Sequence, residues 1–206
     1  RRDRGSRLNE PLLVVGLRNP GSDYQGTRHN LGEVVVRTLV AGATFKRAPR
    51  RISAEITEID LGGRHAVIAL PTAFMNESGG PVSSLVKYFK PHLTGVVLVH
   101  DDIDLPFGKL RFHAGRGAGG HNGVASVMRS LGSREVWRMK LGVGRPPGRQ
   151  EPADFVLERF PKRQLDDVRL MVSAAVDVLV CFGAKGGDAA TQAAGDATAR
   201  LGITAP

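Results

Sequence analysis

Leu12–Val15 is an unbroken apolar run closed by Gly16, the pattern of a short strand buried on both faces. Asn19-Pro20-Gly21 and Ser22-Asp23 then turn the chain, each residue type for its own backbone reason. From Leu31 the apolar positions change period. Leu31, Val34, Val35, Leu39 and Val40 recur at helical spacing, and Gly42 is a stop signal. Lys46–Arg51 reads as a basic connector. Ile52, Ala54 and Ile56 alternate with Ser53, Glu55 and Thr57, which predicts a half-buried strand. Leu61-Gly62-Gly63-Arg64 turns that strand into Ala66–Leu70 as a hairpin.

A polar loop, Pro71–Gly80, precedes a helix with Val82, Leu85, Val86 and Phe89 on its apolar side. Val96–Val99 is a second buried run, and it ends in His100-Asp101-Asp102-Ile103-Asp104-Leu105-Pro106. Lys109–His113 reads as a strand and Gly115–Gly120 as a glycine-rich loop. His121-Asn122-Gly123 opens a helix carrying Val124, Val127, Met128 and Leu131. Val136–Val143 is a strand bearing Arg138 and Lys140, followed by a rigid basic loop at Arg145–Arg149. Gln164–Phe182 has helical period, whereas Asp188–Leu201 is rich in Ala, Gly and Thr, presents no large apolar face and reads as either a weak helix or a disordered tail.

Strands alternating with helices predict a single α/β domain over residues 11–183, with a central mixed, largely parallel twisted sheet flanked by helices. Residues 1–10 are expected as a flexible basic arm and 184–206 as a weakly structured tail.

Charge narrows the function. The chain of 206 residues carries a formal +9, and the first seven residues, with four Arg and one Asp, account for only +3 of it. A basic domain favours a polyanionic partner, most often nucleic acid. Cys181 is the only cysteine, which excludes an intrachain disulfide and fits a reducing cytoplasm. Its apolar neighbours predict a buried thiol. No stretch approaches the roughly 18 apolar residues of a membrane span, and no apolar segment follows the N-terminal arginines as a secretory signal requires.

Several clusters could carry chemistry. Gly115-Arg116-Gly117-Ala118-Gly119-Gly120 fits G-x-G-x-x-G, but it lies late in the chain and no clear acidic partner follows, Glu135 lying too near and in a polar turn, so it argues weakly for a dinucleotide. His100–Asp104 offers oxygen and nitrogen donors, yet its spacing fixes no metal-ligand set and a solvated acidic turn accounts for it equally. His29 alone reads as a capping or surface histidine. Paired with Asp101 it becomes a base, since a carboxylate on one imidazole nitrogen fixes the tautomer and raises the basicity of the other. A covalent nucleophile has no support: there is no G-x-S-x-G, and Cys181 lies in an apolar helix. Asn19, Asn76 and Asn122 sit at predicted element ends, where neutral amides can hold an ester, a peptide or a water.

These residues fall into blocks that resemble one family. Val15-Gly16-Leu17-Arg18-Asn19-Pro20-Gly21 with Tyr24 and Thr27-Arg28-His29-Asn30 resembles the opening of bacterial peptidyl-tRNA hydrolases. Phe74–Gly79, His100–Pro106, Gly119–Gly123 and Gly142–Pro146 follow in family order, and the resemblance covers roughly residues 11–182. It implies hydrolysis of the ester between a peptide and the 3′-terminal ribose of tRNA, without metal or organic cofactor, by a cytoplasmic monomer. Carried over by position, His29 is the general base and Asp101 its orienting carboxylate. Asn19 and Asn76 position peptide and water, Asn122 contacts the acceptor end, and Tyr24 and Met75 line the cleft. His121 supports its loop. Arg111, Lys140, Arg145 and Arg149 are candidates for tRNA phosphates, and Arg145–Phe160 resembles a gate. The rivals are a non-catalytic RNA-binding relative and an esterase for small acylated substrates.

Some positions depart from the family pattern. Arg18 stands where glycine is usual, and would strain the turn if positive φ were needed there. Glu33 replaces an aromatic and His113 a lysine, and the tail lacks the expected asparagine-containing ending.

Overall fold

The computed structural model describes residues 10–203; the predicted basic arm lies outside these residues, apart from Glu10. The elements in chain order are β1 (Leu12–Gly16), α1 (Leu31–Leu39), β2 (Lys46–Arg47), β3 (Ala54–Leu61), β4 (Arg64–Pro71), α2 (Gly79–Phe89), β5 (Val96–Asp102), β6 (Leu110–His113), α3 (Asn122–Leu131), β7 (Trp137–Gly142), α4 (Pro152–Leu157), α5 (Leu165–Lys185) and α6 (Gly187–Leu201). The strands form one sheet in the order β2-β3-β4-β1-β5-β7-β6. Its centre, β4-β1-β5-β7, is parallel, and antiparallel pairings add β3 and β2 on one side and β6 on the other. The mixed, largely parallel sheet flanked by helices is therefore as the sequence predicts.

The apolar runs work because both sheet faces are covered. Successive strand residues point to opposite faces, so Leu12 and Val14 join the core under α1, α5 and α6. Leu13 and Val15 join the core under α2 and α3. All four are fully buried, each worth about 1.5–3 kcal/mol relative to exposure.

Two expectations are corrected at the sheet edges. The basic connector contains the edge strand β2, whose Lys46 and Arg47 pair with Ile56 and Glu55. Charged side chains suit an edge because they discourage further strand pairing. The tail expected to be weakly structured is instead helical from Gly187 to Leu201. Its apolar stripe is made of alanines: Ala190, Ala194 and Ala197 are buried at helical spacing and give little hydropathy contrast. Threonines on the same helix cover the other edge strand. Thr198 Oγ1 accepts from Leu110 N–H at 2.8 Å and donates to Leu110 O at 3.1 Å, and Thr191 Oγ1 donates to Phe112 O at 3.0 Å. Cys181 is half-buried rather than buried.

Candidate active site

The parallel strands β1 and β5 end side by side, and the loops beyond their carboxyl ends supply the polar groups. This is where open α/β sheets place ligands. Beyond β1 the chain gives Asn19, and the end of β5 gives Asp101. The loop after β4 gives Met75 and Asn76. The turn Arg28–Asn30 leads directly into α1. Gly32 lets that helix end dock on β5, because a Cβ there would lie 2.1 Å from Val99 O. His29 is thereby brought over Asp101.

One carboxylate oxygen organises the centre. Asp101 Oδ1 lies 2.9 Å from His29 Nδ1 and 3.1 Å from His121 Nε2. The proton positions follow from the other contacts. His121 caps α3, its Nδ1 accepting from Val124 N–H at 3.3 Å, so its proton sits on Nε2 and is donated to Asp101. His29 donates from Nδ1, since an ionised carboxylate can only accept, and this leaves a lone pair on Nε2. Behind them His100 donates from Nδ1 to Asp101 O at 2.6 Å, and its ring packs 4.6 Å from that of His121.

Burial by itself would raise the pKa of Asp101, but the His29 and His121 rings that face it and hydrogen-bond to it hold it well below the usual carboxylate range. Burial pushes His100 the other way, well below an ordinary histidine, with His121 adding to the effect. Asp101 is thus a fixed charge and His100 a neutral wall. His29, Asp101 and His121 also place possible ligand atoms within 4.8 Å of one another, a donor set that could reach a metal ion. The hydrogen bonds among them account for the same approach.

His29, Asn19, Met75, Asn76, Asp101 and Asn122 line one cavity of about 510 Å³. Asn76 and Asn122 are exposed in it, while Met75 is buried in its wall. Asn19 has a defined orientation. Its Oδ1 accepts from Met75 N–H at 2.8 Å, which leaves its amide N–H₂ for the cavity. Tyr24 is set back from the lining and meets the exposed ring of Phe74 edge-on at 6.2 Å between centroids. Helix α4 closes another side, with Pro152, Val156 and Leu157 in the wall. Arg28 ties α4 to the His29 turn: it donates to Phe155 O and Glu158 O at 3.1 and 3.2 Å and lies 4.0 Å from the Phe155 ring centroid.

The basic candidates separate. Arg111 on β6 is exposed and stands in register with Lys140 on β7. Lys140 is less free than its position suggests, because its ammonium pairs with Asp102 and its side chain is only 12% exposed. Arg145 pairs with Asp104 at the surface, and Arg149 is exposed in the following loop. Arg138, which the sequence placed on the same strand, is buried and donates to Gly117 O at 2.7 Å, bracing the glycine-rich loop. In that loop Gly119 and Gly120 have φ of +62° and +78°, conformations that favour glycine. His113 lies beside Arg138 and Lys140. Burial first, and those two cations next, lower its pKa to about 4.

Sequence reasoning missed two features. It gave His121 only a loop-supporting role, although the adjacent Asn122-Gly123 helix start was a capping signal. It also treated Arg18 and Glu33 as separate departures, whereas the two side chains meet at 2.7 Å. Arg18 is not among the residues with positive φ, so the turn is not strained there.

Comparison with known proteins agrees over most of the chain. The family described as Peptidyl-tRNA hydrolase matches residues 13–200. The chain is 44% identical to a peptidyl-tRNA hydrolase of Kineococcus radiotolerans over 194 residues, covering 90% of this chain and 97% of that protein. It is 49% identical over 171 residues to one from Mycobacteroides abscessus, covering 82% and 87%. A crystal structure of peptidyl-tRNA hydrolase from Acinetobacter baumannii superposes with a TM-score of 0.82 at 27% identity, covering 91% of this chain and 95% of that one.

Proposed function

The chain belongs to the peptidyl-tRNA hydrolase family and is a hydrolase, and from that premise we propose that it cleaves the ester between a peptide, or an N-blocked aminoacyl group, and the 3′-terminal ribose of tRNA with water activated by His29. The observation that carries the mechanism is the 2.9 Å contact between His29 Nδ1 and Asp101 Oδ1, which leaves Nε2 as the basic end of a ring lining the cavity. Water gives a proton to Nε2 as its oxygen attacks the ester carbonyl. Asp101 stabilises the imidazolium that forms. The tetrahedral intermediate then expels the ribose oxygen, which takes the proton back from His29.

The asparagines supply neutral polarity where a charge would bind too indiscriminately. Asn19 presents its N–H₂ toward the peptide or the developing oxyanion, Asn76 helps hold peptide and water, and Asn122 meets the acceptor end. Met75, with Val156 and Leu157 of α4, gives the apolar side of the cleft, and Tyr24 stands behind it against Phe74. Arg111, with Arg145 and Arg149, attracts tRNA phosphates, giving salt-dependent binding with little sequence readout. Lys140 contributes there only as far as its pairing with Asp102 is relaxed. The enzyme acts in this reading as a cytoplasmic monomer; among the described residues no helix is long and apolar enough to cross a membrane.

The test is peptide release from N-blocked aminoacyl-tRNA. Wild-type turnover is expected, with His29→Ala lowering kcat by about 10³-fold, within the range of general-base catalysis. Salt-sensitive tRNA binding without wild-type turnover would replace the enzyme with a binding module.

A further inference from the structure

Arg18 joins three elements at one point. Its Nε donates to Pro71 O at 2.9 Å, Nη1 to Glu33 Oε1 at 2.7 Å, and Nη2 to Glu55 Oε2 at 2.9 Å. These partners lie at the end of β4, on α1 and on β3. The side chains of Arg18 and Glu33 are only 10% and 15% exposed, so this is not a surface pair of negligible weight.

The cluster continues into the cavity wall. Glu33 Oε2 accepts from Asn30 Nδ2 at 3.3 Å, and Glu33 Oε1 also accepts from Arg37 Nε at 2.9 Å. Asn30 then brackets the backbone of Asn19: its Oδ1 accepts from Asn19 N–H at 2.8 Å and its Nδ2 donates to Asn19 O at 2.8 Å. Asn19 in turn is oriented by Met75 N–H, on the loop that leaves Pro71. Arg18 therefore fixes both sides of this contact, Asn19 through Glu33 and Asn30, and Met75 through the carbonyl of Pro71. The guanidinium fork suits three acceptors in different directions, which an ammonium cannot match.

We propose that Arg18 is a positioning residue for hydrolysis, holding Asn19 through the Glu33–Asn30 relay so that its amide N–H₂ meets the substrate. This rests on the reading of Asn19 as a substrate-positioning group. Removing the guanidinium lets the Asn19 amide wander relative to His29, while the phosphate candidates on β6 and in the Arg145–Arg149 loop, which make no hydrogen bond with Arg18 among the described residues, keep their places. The loss therefore falls on kcat and spares KM.

The experiment compares Arg18→Met, Asn19→Ala and the double variant by peptide-release kinetics, with kcat expressed per folded molecule. Arg18→Met is expected to lower kcat about tenfold at nearly unchanged KM, as misplacement of a catalytic neighbour does. Asn19→Ala is expected to lower it by about 10²-fold, and the double variant is expected to be no slower than Asn19→Ala alone. A fully additive loss would show that Arg18 acts elsewhere, and a wild-type kcat in Arg18→Met would overturn the proposal directly. A wild-type kcat in Asn19→Ala would overturn the role of Asn19 together with that of Arg18. If Arg18→Met does not fold, Arg18→Lys serves, since it keeps the charge and loses the fork. It should lower kcat about threefold, and an unchanged value would again refute the relay.

Discussion

Around Asp101 one carboxylate oxygen takes two imidazole N–H groups at 2.9 and 3.1 Å, and the ring of His29 still has a free lone pair facing a cavity. Around Arg18 a guanidinium is met by two carboxylates and a carbonyl, with a second arginine on one of the same carboxylates. Both networks sit past the carboxyl end of β1, and both remove charge from water. They differ in what is left over. In the arginine cluster the charges are spent on one another, and the product is fixed geometry. In the histidine cluster the fixed charge of Asp101 is spent on preparing one nitrogen that has no partner of its own among the described residues. Unspent hydrogen-bonding capacity beside a cavity is what distinguishes a reacting group from a brace.

The strongest way to break this contrast is Asp101→Asn. The amide keeps the shape but can present N–H to His29, favouring the tautomer that puts the proton on Nε2. A fall in kcat of about 10³–10⁴-fold with KM held is expected from tautomer loss of this kind. A fall below tenfold in the peptide-release assay would mean that His29 does not depend on Asp101.

Glu33→Ala asks whether the arginine cluster is a brace. Breaking a buried pair from one side leaves an uncompensated charge, and the remaining contact to Glu55 softens this, so a loss of about 3 kcal/mol is expected. Urea unfolding measures it. A change under about 0.5 kcal/mol would reduce the cluster to an ordinary surface pair.

Acid separates the networks more gently. His100 behind the His29–Asp101–His121 cluster has a depressed pKa, as does His113 at about 4, so below pH 6.5 the unfolded chain takes up protons that the folded chain refuses. The contribution of His113 is full above about pH 6.5 and is lost as pH falls toward 4, and that of His100 is lost in the same direction, with a limiting slope of about 1.4 kcal/mol per pH unit for each proton. Asp101 carries the same sign at lower pH, its stabilisation being lost as pH falls below the ordinary carboxylate value. Urea unfolding between pH 7.5 and 5 should show the slope in the wild type and a shallower one in His100→Asn. Equal slopes would remove His100 from the account.

The predicted elements that held were those whose signal is local and strong. Leu12–Val15 and Val96–Val99 are apolar on both strand faces, and α5 repeats large side chains at helical period. In the sequence the final helix is undecided between a weak helix and a disordered tail, because alanine has too little hydropathy to mark a buried stripe. Its threonines also satisfy a strand far away in sequence, which no local window contains. The candidate site divided in the same way. His29, Asp101 and the three asparagines stood out as polar groups at element ends. The role of His121 and the joining of Arg18 to Glu33 did not.

The sequence by itself determined the alternating strands and helices, the basic balance and the candidate pairing of His29 with Asp101. These depend on side-chain chemistry and on spacings within a few residues, so they can be read before folding. Only the tertiary structure decided that His29 and Asp101, 72 residues apart, share a hydrogen bond, that His121 shares the same oxygen, and that Arg18 is neutralised by Glu33 and Glu55. Hydrogen bonds and buried charges act over about 3 Å and depend on direction, and partners that distant in the chain meet only once β1, β5 and α1 have packed.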